Sequence, residues 1–261
     1  MDRTVVWKAI GQSVRGVSHI ASEKPCEDAI SYEIVEDTDG NETLICCVSD
    51  GAGSASQAVN ASNIVVHDAT KHLKKLLAQN AGIKEADIFE MAEKIYGTLS
   101  TIAERAEQPL QEYSCTLLGC IIASEISVFF QIGDGAIVRF DANGRYMPVW
   151  WPQNGEYQNT TSFLTDDENM SDLRVLITVD EVDEVAIFTD GLQQLALKND
   201  SCSAHQPFFN DLFKYLRIAD SENKVATLNT KLRDYLDSNL INRRTDDDKT
   251  LFLATRIKDE V

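Results

Sequence analysis

Leu44-Ile45-Cys46-Cys47-Val48-Ser49-Asp50-Gly51-Ala52-Gly53-Ser54 carries an apolar run straight into Asp-Gly, and the spacing changes character immediately afterwards. Residues 44–48 predict a short strand, preceded by the turn chemistry of Asp39-Gly40-Asn41. Beyond Gly53, Ala58, Ala61, Val65, Ala69, Leu73 and Leu76 fall on one helical stripe. Lys71, Lys74 and Lys75 come late in that segment, where cations suit the helix dipole. A second helix is predicted over residues 86–106, with Ile88, Met91, Ile95, Leu99 and Ile102 as its stripe.

Working outward, residues 5–14 and 29–35 read as β-prone stretches upstream. Downstream, strands are predicted at 115–123, 126–132, 136–140, 185–189 and 250–255, and helices at 192–197 and 225–236. Residues 147–172, rich in Pro, Asn, Gly, Thr and Asp, suggest a surface excursion over a sheet. Within it, Trp150 and Trp151 with Tyr157 offer either an aromatic face for a peptide or packing onto the sheet. Strands, two helices, more strands, then helices and a last strand do not alternate as a βαβ series would. The expectation is an α+β chain, mostly antiparallel sheet flanked by helices, with residues 1–261 forming one domain.

The 261 residues include 24 basic and 42 acidic ones, a formal charge of −18 that argues against nucleic acid and anionic membrane surfaces as partners. At 43% hydrophobic and 8% aromatic the chain has the composition of a folded protein. The N-terminal residues show no signal-peptide h-region, and no apolar run has the length of a membrane span, so a cytoplasmic location is expected. The six cysteines include no C-x-x-C pair, which supports neither a zinc ribbon nor a disulfide framework. None has an Arg at the C-x5-R offset that a cysteine-based phosphatase would need.

Three predicted strands end in Asp-Gly, at Asp50-Gly51, Asp134-Gly135 and Asp190-Gly191. The last strand is preceded by Asp246-Asp247-Asp248, and the acidic pair Glu27-Asp28 stands before the strand starting near Ala29. One Asp-Gly is an ordinary turn. Several carboxylates at strand tips on one sheet edge would repel one another and raise each other's pKa values unless cations neutralise them. Oxygen-only donors select hard ions such as Mg²⁺ or Mn²⁺, and the absence of His-x-x-x-His and Cys-x-x-Cys spacing argues against zinc.

Read in order, the motifs are Ser18-His19-Ile20 to Pro25-Cys26-Glu27-Asp28-Ala29, Val48 to Ser54, and Cys115-Thr116 leading to Ile132-Gly133-Asp134-Gly135. Gly155-Glu156-Tyr157, Phe188-Thr189-Asp190-Gly191 and Arg244 to Thr250 follow. In this order and strand context the chain resembles the metal-dependent type 2C serine/threonine protein phosphatases, in particular compact bacterial members. The resemblance implies an α-β-β-α sandwich of two mostly antiparallel sheets, with a binuclear Mn²⁺ or Mg²⁺ centre at one end and possible room for a third ion. It implies that Asp50 bridges the two ions and that the Gly51 carbonyl ligates one. Asp190 and Asp247 would hold the other carboxylate positions, Asp28 with Glu27 beside it would reach the second ion directly or through water, and Asp134 would help hold the looser third. The implied activity is hydrolysis of phosphoserine and phosphothreonine in proteins by a metal-activated water, with no phosphoenzyme. Implied partners are a phosphoprotein substrate and a cognate kinase, and a monomer is expected.

Two positions depart from the family pattern. The Arg expected five residues before Asp28 is Glu23, leaving Lys24 or His19 as the basic group for phosphate. The His that many relatives carry two residues after the bridging Asp is Ala52, so a metal-bound water, His19 or no side chain protonates the leaving group. The missing Arg motivates a second hypothesis, a catalytically weak or inactive domain that binds a phosphoprotein or kinase. A phosphatase of small metabolites is the third.

Overall fold

In the strand Glu42–Ser49, Leu44, Cys46 and Val48 point to one apolar layer and Ile45 and Cys47 to another. Period-two alternation with both faces apolar means a strand buried on both sides, which is why the run reads as continuously hydrophobic. The same division recurs at the other central strands, where Leu118, Ile137, Ile187 and Phe252 face the layer containing Val48.

The computed structural model describes residues 5–36, 41–79, 82–152, 161–167 and 170–258. In chain order these form β1 (Val5–Val14), α1 (Val17–Ala21), β2 (Ala29–Glu36), β3 (Glu42–Ser49), α2 (Ala58–Ala78) and α3 (Glu85–Arg105). Next come β4 (Leu117–Ile122), β5 (Ser127–Ile132), β6 (Ala136–Phe140), β7 (Tyr146–Pro148), β8 (Arg174–Thr178) and β9 (Glu184–Phe188). The remainder is α4 (Gln193–Ala196), the two-residue strands β10 (Leu197–Lys198) and β11 (Ser203–Ala204), α5 (Gln206–Arg217), α6 (Glu222–Leu236), α7 (Asn239–Asn242) and β12 (Lys249–Lys258).

One five-stranded sheet has the order β1-β12-β9-β6-β7 and the other β2-β3-β4-β5-β8, every pairing within them antiparallel. Helices α2 and α3 cover the second sheet through Val65, Leu73, Ile88 and Leu99, while α5 and α6 cover the first through Phe209, Phe213, Leu232 and Leu236. Three apolar layers stacked helix, sheet, sheet, helix make the α-β-β-α sandwich the resemblance implied.

The strand and helix expectations over residues 5–14, 29–35, 44–48 and 58–106 match elements within a few residues at their ends. The segment 147–172 is more than a surface excursion. Leu164 and Met170, with Leu173 just beyond, are buried in the layer between the second sheet and its helices. Trp150 packs against the inter-sheet layer and Trp151 against the α5–α6 layer, so both serve packing; Tyr157 and the Gly155-Glu156-Tyr157 motif lie outside the described residues. The helix expected at 192–197 is only a 3₁₀ turn and the short α4, since the backbone returns to extended at Leu197. Among the described residues no helix is long and apolar enough to cross a membrane.

Candidate metal centre

Asp50 follows the last residue of β3, Asp190 lies two residues after β9, and Asp134 sits in the β5–β6 turn. Asp28 precedes β2, and Asp247 stands two residues before β12. Glu27, Asp50, Asp134, Asp190 and Asp247, with Gly51 and His19, line one cleft of about 190 Å³. Asp28 lies behind it, 5% exposed. Lys24 is not part of the described lining.

Each carboxylate is held by short-range chemistry. The Asp50 backbone N–H donates to the Thr116 hydroxyl oxygen at 2.9 Å, and the Asp50 carbonyl accepts the Thr116 N–H at 2.8 Å. Gly51 must be bare, because a Cβ there would come within 2.8 Å of Ala58 at the start of α2. Asp28 Oδ2 accepts the hydroxyls of Thr189 and Thr250, each at 2.8 Å. In the Asp134 turn, Gln131 Nε2 donates to the carbonyls of Gly133 and Gly135 at 3.1 and 2.9 Å, Gln193 donates to the Asp134 carbonyl, and the Thr161 hydroxyl donates to Asp134 Oδ2.

Asp247 and Asp248 have different employment. The Asp248 carboxylate accepts the backbone N–H groups of Gly16 at 2.6 Å and Glu27 at 2.5 Å, tying the loops before α1 and β2 to the start of β12. Asp247 lies close enough to Asp134 and Asp190 to raise both their carboxyls. His19, on α1, has Nδ1 2.9 Å from Asp248 Oδ2 without hydrogen-bond alignment and Nε2 3.7 Å from Glu27 Oε2; its side chain is 13% exposed. Lys24 Nζ donates to the Gly53 carbonyl at 2.8 Å, lies 3.5 Å from Glu27 Oε1 and is 42% exposed. Glu23 occupies the left-handed region at φ 56° and is exposed.

Burial raises the carboxyls of Asp28 and Asp50 well above the usual range, and neighbouring carboxylates push in the same direction. Asp190 is lifted to about 6, first by burial and then by Asp134 and Asp247. Burial raises Asp134 too. Behind the acids, burial lowers the ammonium pKa of Lys249, whose Nζ donates to Asn242 at 2.7 Å. The Cys115 thiol is pushed up to about 12 by burial, as befits an inert core group.

Glu27 Oε2, Asp28 Oδ1 and Asp190 Oδ1 are buried with no hydrogen-bond partner. Orphaned buried carboxylate oxygens beside mutually repelling carboxylates are complementary to hard cations. Among the described residues no three acidic, His or Cys side chains are gathered tightly enough, as they stand, to close on one ion. Mg²⁺-like ions keep several waters and take one or two carboxylates each.

A folded carboxyl at about 6 against an ordinary aspartate holds its proton longer than the unfolded chain does, so metal-free stability falls as pH rises from about 4 to 6 and the penalty persists above. Asp190→Asn removes that penalty. The metal-free variant is expected to be more stable than the parent at pH 7, by up to about 3 kcal/mol, with the gap closing toward pH 4. Thermal melts in chelator across that range check it; a variant less stable at pH 7 would refute the electrostatic account.

A larger apolar cavity, about 670 Å³, lies between α5, α6 and β12 and holds no comparable acidic cluster. The acidic cleft is therefore the candidate site. Residues 15–237 match the family described as Protein phosphatase 2C. The chain belongs to the protein phosphatase 2C family. It is an enzyme, a serine/threonine phosphatase of the 2C type. The Serine/threonine-protein phosphatase 3 of Escherichia coli (strain K12) is 36% identical to this 2C phosphatase over 249 residues, spanning 95% of this chain and 98% of that protein. The catalytic domain of the serine/threonine phosphatase PstP, solved in complex with two manganese ions, superposes with a TM-score of 0.64 at 15% identity, over 98% of this chain and all of that one. Staphylococcus aureus Stp1 gives 0.62 at 16% identity, covering 98% and 97%. At such identities the likeness is one of fold.

Asp248, Thr161, Gln193 and Thr189 have roles here that the sequence did not announce as ligand-shaping. Asp248 had a signal, an acidic residue following Asp247 and just before a strand, and Thr189 stood in the Phe188-Thr189-Asp190-Gly191 motif; Thr161 and Gln193 had none.

Proposed function

We propose that this 2C phosphatase hydrolyses phosphoserine and phosphothreonine in proteins at a binuclear Mn²⁺ or Mg²⁺ centre held by Asp50, the Gly51 carbonyl, Asp190 and Asp247. Glu27 and Asp28 would complete it, and Asp134 would help hold a looser third ion. The observation that carries the reading is the cleft itself, where carboxylates from five strand ends meet and Glu27, Asp28 and Asp190 each keep a buried oxygen without a hydrogen-bond partner. When bound, the ions supply Lewis acidity, a water acidified toward neutral pH, and neutralisation of phosphate charge. Asp248 fixes the Glu27 loop by accepting its N–H, and Thr189 and Thr250 orient Asp28. His19 is the one basic side chain among the described lining residues, which supports assigning it to meet a phosphate oxygen or the leaving alkoxide. Lys24, anchored on Gly53 at the rim, serves substrate approach.

The assay is phosphate release from a phosphothreonine peptide with and without Mn²⁺. Metal-dependent turnover is expected; none, in folded metal-loaded protein, would point instead to phosphoprotein binding without hydrolysis. His19→Ala is expected to lower kcat by about 10- to 100-fold, in line with the loss of one acid–base or charge-stabilising group. Lys24→Ala should raise KM a few-fold with little change in kcat. Equal effects of the two on kcat would overturn this division of labour.

A further inference from the structure

Within a chain of formal charge −18, residues 69–84 carry Lys71, Lys74, Lys75 and Lys84 and no acidic residue. On α2, Lys71 and Lys75 stand one turn apart on one face, an i,i+4 like-charge pair that weakens a helix. α3 places Lys94 across from them, and with His72 these side chains line a groove of about 190 Å³ whose buried floor includes Met91 and Ile95. Lys74 turns away to pair with Glu33, and Lys94 pairs with Glu90 one turn back on α3. Lys71 and Lys75 make no ion pair among the described residues. Asp68 at one end of the groove is its acidic lining residue. Burial first, then Lys94 and Lys75, lower the His72 pKa, with Glu90 and Asp87 opposing.

Helix-dipole complementarity accounts for Lys75 in the last turn of α2 but not for Lys94, which sits mid-way along α3. Two helices therefore converge three lysines on one hollow, and the counter-charge they supply, Asp68 at one end and Glu90 paired to Lys94, leaves Lys71 and Lys75 without an ion pair among the described residues.

We propose that the α2–α3 groove is an exosite that docks an acidic stretch of the phosphoprotein substrate, a role that rests on the reading of the cleft as a protein phosphatase site. The overall negative field repels an anionic substrate, so a local positive groove is where such a polypeptide is first held. α2 begins against Gly51, and at about 1.5 Å per residue Lys71 and Lys75 stand roughly 20–25 Å further along its axis. An extended linker of about eight residues spans that gap, at roughly 3.3 Å each.

Two phosphothreonine peptides test it, each with a Gly/Ser linker of about ten residues leading to a tract of about six glutamates or six serines. The glutamate peptide is expected to show a KM about tenfold lower at low salt, with equal kcat, and the advantage should vanish at about 0.5 M salt. Lys71→Glu/Lys75→Glu should abolish the difference while hydrolysis of p-nitrophenyl phosphate is unchanged; Lys71→Ala/Lys75→Ala serves if the reversal misfolds. A fluorescent glutamate-tract peptide without phosphate, followed by anisotropy, reports docking even if no phosphatase activity is found. Equal KM values, a preference that survives in the double variants, or displacement of the tract by millimolar inorganic phosphate alone would overturn the proposal, the last by showing a small-anion site.

Discussion

Asp50→Asn is expected to lower metal-dependent phosphate release about a thousandfold or more in a protein that stays folded. The side chain is nearly surrounded by other acids: Asp28, Asp190 and Asp134 all act to raise its pKa, after burial itself. Exchange for Asn removes the central negative charge from the place where two ions would be bridged. Loss of several kcal/mol of transition-state stabilisation corresponds to about three powers of ten in rate. The backbone hydrogen bonds to Thr116 do not depend on the carboxylate, and removing a buried charge relieves repulsion, so the fold is not put at risk. Phosphate release at saturating Mn²⁺, beside calorimetric Mn²⁺ titration, decides the matter. Activity within tenfold of the parent would sink the bridging assignment.

Gly191→Ala is the second large effect. A Cβ on residue 191 would lie 2.0 Å from the Asp248 carbonyl oxygen and 3.5 Å from the Asp247 Cβ. The nearest of these atoms is backbone, fixed because Asp248 is itself bonded to Gly16 and Glu27. Overpacking here should destabilise by about 3 kcal/mol or more and separate Asp190 from Asp247, so that turnover falls even in whatever fraction folds. Gly97, inside α3 with nothing within 4 Å of its would-be Cβ, is the control. Gly97→Ala should stabilise by about 0.5–1 kcal/mol, the helix-propensity difference. Denaturant melts of both variants test the contrast; similar losses in the two would refute it.

The central strands were legible because each is apolar on both faces, and the carboxylates were legible because each ends such a strand. α5 was not. Its Phe209, Phe213 and Leu216 enter the core while Phe208, Leu212 and Tyr215 line the neighbouring groove, so two apolar stripes blur the helical period, and Pro207 near its start resembles a breaker. β8 was missed although Val175, Leu176 and Ile177 are apolar, because a run of three directly after the irregular 147–172 segment is too short to show a period. Within the site, sequence alone does not distinguish the duties of neighbours such as Asp247 and Asp248, which depend on Gly16 and Glu27 arriving from the other end of the chain. Nor does any local pattern mark Thr161 or Gln193, whose partner, Asp134, is remote in sequence.

β12 lies between β1 and β9, with Val14 paired to Lys249 and Leu251 to Phe188. The strand that delivers Asp247 is thus interior to its sheet, and β1, at the sheet edge, has no other strand partner among the described residues. On a ribosome adding about 5–20 residues per second, the stretch between Val14 and Lys249 takes roughly 10–50 s to make. Throughout that interval β1 waits unpaired and Asp247 has yet to be delivered to the cleft. With Asp247 as a ligand of the proposed centre, the nascent chain is silent by construction: catalytic competence arrives in one late step, when β12 zips into place, rather than growing as the polypeptide lengthens.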